Sequence, residues 1–492
     1  MKLRHLALFL TTLAWVAPTL ADPPGHYRRS NAHHNQLMVR AALADLPDLS
    51  EQYGFRTVGE LTSGDGPLAI LEGPESMTTD QMVELIAGDP RVEELEPARL
   101  AALPRTDASG VGPIAGDVDL DRLRSGSLAT PCLNQLGPSE LWSGFADQEA
   151  ARLVRIHPAH AEQGDCGSAT VAIIDTGVDP SHPVLSSALV SGYDFRLDVP
   201  GIPSEWDLLD QSLQRALGHS ERSQQSAEST QSFQPILEQF NQPILEATLA
   251  GEAQTLSLGG SMVVLLDQES ATELAEMQLP THFGHGTMVA GIVRLVAPGA
   301  RIMPLRVFNG EGSAHVFDII RAIYYAVDHG ADVINMSFSM EQSSIALRRA
   351  IRYARLNGVV CVAAVGNSGE EAAVYPALLP NTLGVAATTL DDELSEFSNY
   401  GWPIVDVAAP GAGVVTTFPS GIFAAGWGTS FSAPFVAGTA ALIRDPEARD
   451  RLGTVLRLGR HIRRGSTPIP DLGWDIGSGR LDVLGAVEEA DR

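Results

Sequence analysis

Residues 169–176 read ATVAIIDT and residues 359–367 read VVCVAAVGN. Each is a nearly unbroken apolar run that ends on a polar residue beside a glycine, the pattern of a strand buried on both faces. Between and beyond them the periodicity alternates. GTMVAGIVRLVA at 286–297 suits a helix rich in small residues, ARIMPLRVF at 300–308 a strand, and HVFDIIRAIYYAVDHG at 315–330 a helix. DVINMSF at 332–338 reads as a strand, and SSIALRRAIRYARLNG at 343–358 as an amphipathic helix closed by Gly358. NTLGVAAT at 381–388 supplies another strand and SAPFVAGTAALIR at 432–444 a helix. Apolar strands separated by helices of this length predict an α/β fold, an open sandwich with a mostly parallel sheet covered on both faces. Function is expected where its strands end.

Outward from this core, the chain divides. Residues 1–21, MKLRHLALFLTTLAWVAPTLA, place Lys2 and Arg4 before a short apolar run with Ala21 at its end, which predicts a cleaved secretory signal peptide. The expected location is therefore outside the cytoplasm, extracellular or periplasmic. No later stretch offers about 20 apolar residues without charge, so no membrane span is expected after signal removal. Residues 22–35 read as a loose tail. Residues 36–100 form a compact α+β pattern, with strands at QLMVRAAL, GPLAILEG and RVEELEPARL and a helix beginning at Asp80. Thr78 or Thr79 would cap that helix, and Gly88 and Pro90 would end it. Residues 101–145, rich in Gly, Pro, Ser and Asp, read as a nick-prone linker. The larger domain spans 146–488 and is interrupted at about 197–280 by a Gln, Ser and Glu-rich insertion, read as one or two helices and exposed loops without evident chemistry.

With 492 residues and 44% apolar content the chain can bury a large core. Its formal charge of −27 argues against nucleic acid as a partner. Cys132 and Cys166 precede the first core strand and either pair or remain thiols. Cys361, inside VVCVAAVG, reads as a small buried apolar residue, because no helix start or base stands near it in sequence to generate a thiolate.

Four positions suggest chemistry. Asp175 ends an apolar strand, where it serves a site or caps a turn. His285 lies between two glycines at a helix start, in FGHGTMVAG. Ser430, in GWGTSFSAP, precedes an apolar helix whose N-terminal N–H groups favour negative charge; it reads equally as a helix cap, and Thr429 and Ser432 compete with it on composition. Asn367 ends another strand and offers an amide donor, or is merely part of an Asn-Ser-Gly turn. Together they supply a nucleophile, a base, an acid to orient the base and a donor for an oxyanion.

Taken together, VAIIDTGVDPSHPVL around Asp175, HGTMVAGI from His285 and GTSFSAPFVAGTAAL around Ser430 resemble, in that order, the signature regions of the subtilisin-like (subtilase) serine peptidases. VAAVGNSG matches the region of the family's oxyanion asparagine, here Asn367, and LRVF, DVINMSFS, VDVAAPG and GSGRLDVLGAV extend the likeness over roughly 150–488 outside the insertion. The resemblance implies a three-layer subtilisin-like sandwich and an endopeptidase acting on proteins or peptides through Asp175, His285 and Ser430. It implies that Ser337, Phe338 and Ser339 form one cleft wall and Ala363 to Gly366 another, although Phe338 is equally read as a core aromatic. No cofactor is required by it. Structural calcium is common among relatives, but no segment assigns ligands by residue. The module at 36–100 resembles the inhibitory pro-region of such zymogens, which makes it an intramolecular partner of the cleft. Met288 departs from the family, which usually has a second histidine there, and the insertion makes the Asp175 to His285 spacing unusually long. An occluded, non-catalytic scaffold and an esterase or amidase stand as rivals; the lack of a G-x-S-x-G elbow at Ser430 argues against an α/β-hydrolase.

Overall fold

The computed structural model describes residues 32–63, 66–104, 132–136, 143–164, 166–209, 255–258, 261–265, 279–444 and 451–492. The expected signal peptide, most of the expected tail and linker, and the centre of the expected insertion lie outside the described residues.

The first body is an antiparallel sheet of β1 (Ala32–Ala41), β2 (Arg56–Ser63), β3 (Gly66–Glu72) and β4 (Val92–Ala102), with helices at Leu46–Tyr53 and Thr79–Ile86. Thr78 caps the second helix through a capping box with Gln81, so the helix starts one residue before the position expected from sequence. Side chains alternate across the sheet as the pleat requires. Leu37, Val39 and Leu71 pack under the helices with Leu49, Met82 and Ile86. Met38, Leu68 and Ile70 face the other way, into a cluster shared with Phe317 and Ile320. Neither β2 nor the helix Leu46–Tyr53 was expected. Among the described residues β2 pairs with β3 alone, and from Arg56 to Thr62 it is half exposed, so it lacks the apolar alternation that marks a strand.

The second body is built on an eight-stranded sheet. Its strands are β5 (Thr170–Asp175), β6 (Gly192–Asp194), β7 (Val199–Gly201), β10 (Arg301–Arg306), β12 (Val333–Met336), β13 (Val360–Ala364), β14 (Thr382–Thr388) and β15 (Val407–Pro410). They lie in the order β15-β14-β13-β12-β5-β10-β6-β7, parallel throughout except for the β6–β7 edge. Every residue of β5 is buried. Val171 and Ile173 enter a cluster with the helices His285–Val296 and Thr429–Leu442; Ala172 and Ile174 enter another with the helices Val316–Asp328 and Ile345–Leu356. The result is the expected three-layer α/β sandwich.

The insertion differs from its sequence reading. Its described part contains β7 and the pair β8 (Thr255–Leu258) and β9 (Ser261–Leu265), and β9 pairs with β17 (Ile422–Trp427), which pairs with β16 (Val414–Phe418). The helices expected there fall on residues outside the described ones. Cys132 and Cys166 form a disulfide, and Cys361 is a buried thiol in β13. Among the described residues no helix is long and apolar enough to cross a membrane.

Candidate active site

Parallel strands deliver their C-terminal ends to one edge of a sheet. Here β5, β12 and β13 are consecutive neighbours, and Asp175, Ser337 and Asn367 stand at or just beyond their ends. The helix His285–Val296 then brings its first residue to Asp175. Gly286 permits this approach: a Cβ there would lie 2.1 Å from the Gly177 carbonyl oxygen and 3.2 Å from Asp175 Cβ. His285 Nδ1 lies 2.8 Å from Asp175 Oδ1, an arrangement in which the ring nitrogen donates to the carboxylate. Both side chains are buried, and His285 Nε2 has no hydrogen-bond partner among the described residues. Asp175 Oδ1 also accepts from the Thr176 N–H at 2.8 Å and faces the Thr176 hydroxyl at 3.2 Å.

Ser430 is the second residue of the wholly buried helix Thr429–Leu442. Pro434, four residues on, has no N–H with which to pair the Ser430 carbonyl. Ser337 fills the gap: its Oγ donates to that carbonyl at 2.8 Å. The Ser430 hydroxyl in turn donates to the Ser337 carbonyl at 3.0 Å, not to His285.

Asn367 turns its Oδ1 to the start of the same helix, accepting from the Thr429 N–H at 2.9 Å and the Thr429 hydroxyl at 2.7 Å. The loop that carries it is fixed by Asn399, whose Oδ1 accepts from the Ser368 N–H and hydroxyl and whose Nδ2 donates to the Val365 carbonyl. Gly366 adopts a φ of 93°, and a Cβ there would lie 2.8 Å from Asn399 Nδ2.

Ser339 presents its backbone to β4, bridging Ala102. The side chains of Phe338 and Ala363 face the core, the reading left open for Phe338. Both are buried in the cluster on the far face of the sheet, Phe338 with its ring centroid 5.3 Å from that of Phe308. Residues alternate along extended chain, so a wall built by Ser337 and Ser339 turns Phe338 inward, and Ala363 likewise points opposite to Val362 and Ala364. Only their backbone is left to line a cleft. Met288 is buried in the core, and burial pushes the Cys361 thiol up to about 12, which removes it as a nucleophile at ordinary pH. Among the described residues no group of three or more His, Cys, Asp and Glu gathers to hold a metal ion.

One residue beside the site went unread in the sequence. Glu205 is fully buried, accepting from Thr176 Oγ1, from the Gly286 N–H at 3.0 Å and from Thr287 Oγ1. Burial pushes its carboxyl up to about 7. It lies at the start of the insertion with no motif or periodicity around it, so nothing in the sequence distinguished it from a solvated glutamate.

Comparison with known proteins gives concordant results. The family model Peptidase_S8, described as the subtilase family, matches residues 167–457. Thermitase of Thermoactinomyces vulgaris is 41% identical over 215 residues, which is 42% of this chain and 75% of thermitase. A thermophilic serine proteinase of Bacillus sp. (strain AK1) is 32% identical over 318 residues; the match takes in 64% of this chain and 61% of that protein, less than two thirds of its length. Among solved structures, fervidolysin of Fervidobacterium pennivorans, described as a keratinolytic enzyme related to subtilisin, is similar with a TM-score of 0.64 at 21% identity. That likeness covers 94% of this chain and 62% of fervidolysin and bears on the fold.

Proposed function

This chain belongs to the subtilase family of serine peptidases, and from that premise we propose that it is a secreted zymogen of an endopeptidase working through Asp175, His285 and Ser430. The leader at 1–21 supports secretion, and the buried Asp175–His285 pair, with Ser430 in the first turn of the helix Thr429–Leu442, supports the catalytic assignment.

In this reading Ser430 turns from the Ser337 carbonyl toward His285 Nε2, which takes its proton as Oγ attacks a peptide carbonyl. Asp175 holds the imidazole with Nδ1–H toward itself and stabilises the imidazolium. The Asn367 amide and the Ser430 N–H donate to the tetrahedral oxygen. His285 then protonates the leaving amine, and water releases the acyl-enzyme by the same steps reversed. These steps use no cofactor; calcium, where relatives carry it, would be structural.

The observation that carries the reading from acyl hydrolysis to peptide hydrolysis is an extended peptide lying along the site. Leu100–Ala102 pair antiparallel with β11 (Ser313–His315) in register, and the Leu103 N–H donates to the Gly312 carbonyl at 2.9 Å. On its other side Ala102 exchanges two backbone hydrogen bonds with Ser339, at 3.4 and 3.2 Å. Main-chain pairing on both edges is how a sheet recognises a peptide irrespective of its side chains. Were that register to run on for two residues, Pro104 would stand opposite Ser337, whose hydroxyl meets the Ser430 carbonyl. The first module is accordingly read as an inhibitory pro-region whose last strand occupies the cleft, and the first cut is expected at or just beyond Pro104.

Intact mass and N-terminal sequence of the purified protein, followed over time beside a Ser430→Ala copy, test this. The wild type should lose the first module while the Ser430→Ala copy stays whole. If both stay whole, self-processing fails, and if the wild type also leaves denatured protein substrates uncut, the peptidase reading fails with it.

A further inference from the structure

Glu205 opens a single turn of 3-10 helix, Glu205–Leu208, without contact with solvent. Its three donors are not scattered. Thr176 directly follows Asp175, and Gly286 and Thr287 directly follow His285. We propose that Glu205 is a positioning residue for the catalytic pair: its carboxylate ties the turn after Asp175 to the first turn of the His285 helix and, through the Thr176 hydroxyl, sets the charge that Asp175 presents to the imidazole. This rests on the reading of Asp175, His285 and Ser430 as the catalytic set.

The Thr176 hydroxyl faces two carboxylates, Glu205 Oε1 and Asp175 Oδ1, and has one proton to give. The Gly286 N–H meanwhile lies 3.0 Å from both Thr176 Oγ1 and Glu205 Oε1. An ionised Glu205 draws the hydroxyl proton to itself, leaving the Asp175 charge to His285. A protonated Glu205 donates to Thr176 instead, which releases the hydroxyl to Asp175 and disperses that charge. Ionised Glu205 thus favours the imidazolium that attack creates, through Asp175 and through its own field. Because burial pushes its carboxyl up to about 7, the change of state falls in the neutral range. The other charged groups around it are few. Asp179 shares the Thr287 hydroxyl through its N–H, and Arg306 holds the Ser204 carbonyl while ion-pairing Asp194 and reaching toward Asp207.

The experiment takes the self-processed enzyme as wild type, Glu205→Gln and Thr176→Val, and measures kcat and KM on one peptide substrate from about pH 5 to pH 10, with thermal melting as the control for folding. Glutamine keeps the shape and removes the charge. It should lower kcat about tenfold with KM within about twofold, and move the acid limb of kcat/KM down by about 0.5–1 pH unit, since the imidazolium loses a nearby negative charge. Thr176→Val, with no hydroxyl to give to Asp175, should move that limb the opposite way, up. A folded Glu205→Gln enzyme with the wild-type limb overturns the proposal, as does an unmoved limb in Thr176→Val where the glutamine variant does not fold. An inactive wild type, or an active Ser430→Ala, would instead sink the catalytic reading beneath it.

Discussion

Ser337 and Ser430 are bonded in both directions: each hydroxyl donates to the other's carbonyl, at 2.8 and 3.0 Å. The first bond substitutes for the N–H that Pro434 lacks, so it is a repair of the helix as well as a tether to β12. Ser337→Ala should cost about 1–2 kcal/mol of stability by orphaning a buried carbonyl. Restoring a donor with Pro434→Ala should recover part of that loss, a coupling readable in a double-mutant cycle by chemical denaturation of the inactive Ser430→Ala chain. Strict additivity of the two substitutions would refute the repair.

Glu96 reaches across from β4 to the helix Ile345–Leu356. Its carboxylate accepts from Ser344 Oγ at 2.8 Å and from the N–H groups of Ile345 and Ala346 at 3.0 Å each. A carboxylate at a helix N-terminus satisfies orphan donors and opposes the dipole. Glu96→Ala should therefore lower the stability of the uncut Ser430→Ala chain by about 1–2 kcal/mol. In the active chain it should shorten the delay before activity appears, which a continuous peptide assay would follow.

Removing the Asn367 side chain should reduce kcat by about 10²–10³ with a much smaller change in KM, the signature of a donor used mainly in the transition state. Steady-state kinetics of Asn367→Ala against a peptide substrate checks this, and an equal loss in both constants would point to a binding role instead.

Stability should depend on pH through Glu205. Its folded carboxyl lies at about 7 against an ordinary value of 4.5, so between those values the folded state holds a proton that the unfolded state releases. Stability is then highest below the ordinary value and falls as pH rises toward 7, by roughly 3 kcal/mol at most. In the Ser430→Ala chain, Glu205→Gln should gain on the order of 2 kcal/mol at pH 8 and little at pH 4.5. Denaturation midpoints at the two pH values decide it, and equal effects at both would dismiss the linkage.

The disulfide joins residues 34 positions apart. A loop of that length is worth about 2–4 kcal/mol in the chain-entropy account, so reduction, or a Cys132→Ser with Cys166→Ser pair, should lower the melting temperature by several degrees. Cys361→Ala should leave activity intact, since its thiol is inert in β13.

The central strands were legible because burial on both faces forces an apolar composition that survives in a bare sequence. β5 and β13 are such runs, and the polar residues ending them marked Asp175 and Asn367. Half-exposed strands carry no such demand, and β2 and the β8–β9 pair went unseen. Side-chain direction was harder than position: DVINMSFS marked the segment that meets Ser430, but only strand alternation in three dimensions assigns Phe338 to the core. Glu205 was invisible for a different reason. Its role comes from Thr176, Gly286 and Thr287, up to 82 residues away in sequence, and a carboxylate that is functional by its surroundings has no signature of its own.

β4 belongs to two sheets' worth of partners, β1 on one edge and β11 on the other. If β4's end fills the cleft as proposed, then while the chain is whole it competes from the same molecule, which raises its effective concentration above that of a separate copy. Once the chain is cut, the same hydrogen bonds hold a separate product, and occupancy becomes a matter of mass action. Latency would then end by dilution or by digestion of the freed module, and concentrated enzyme would stay silent longer than dilute enzyme.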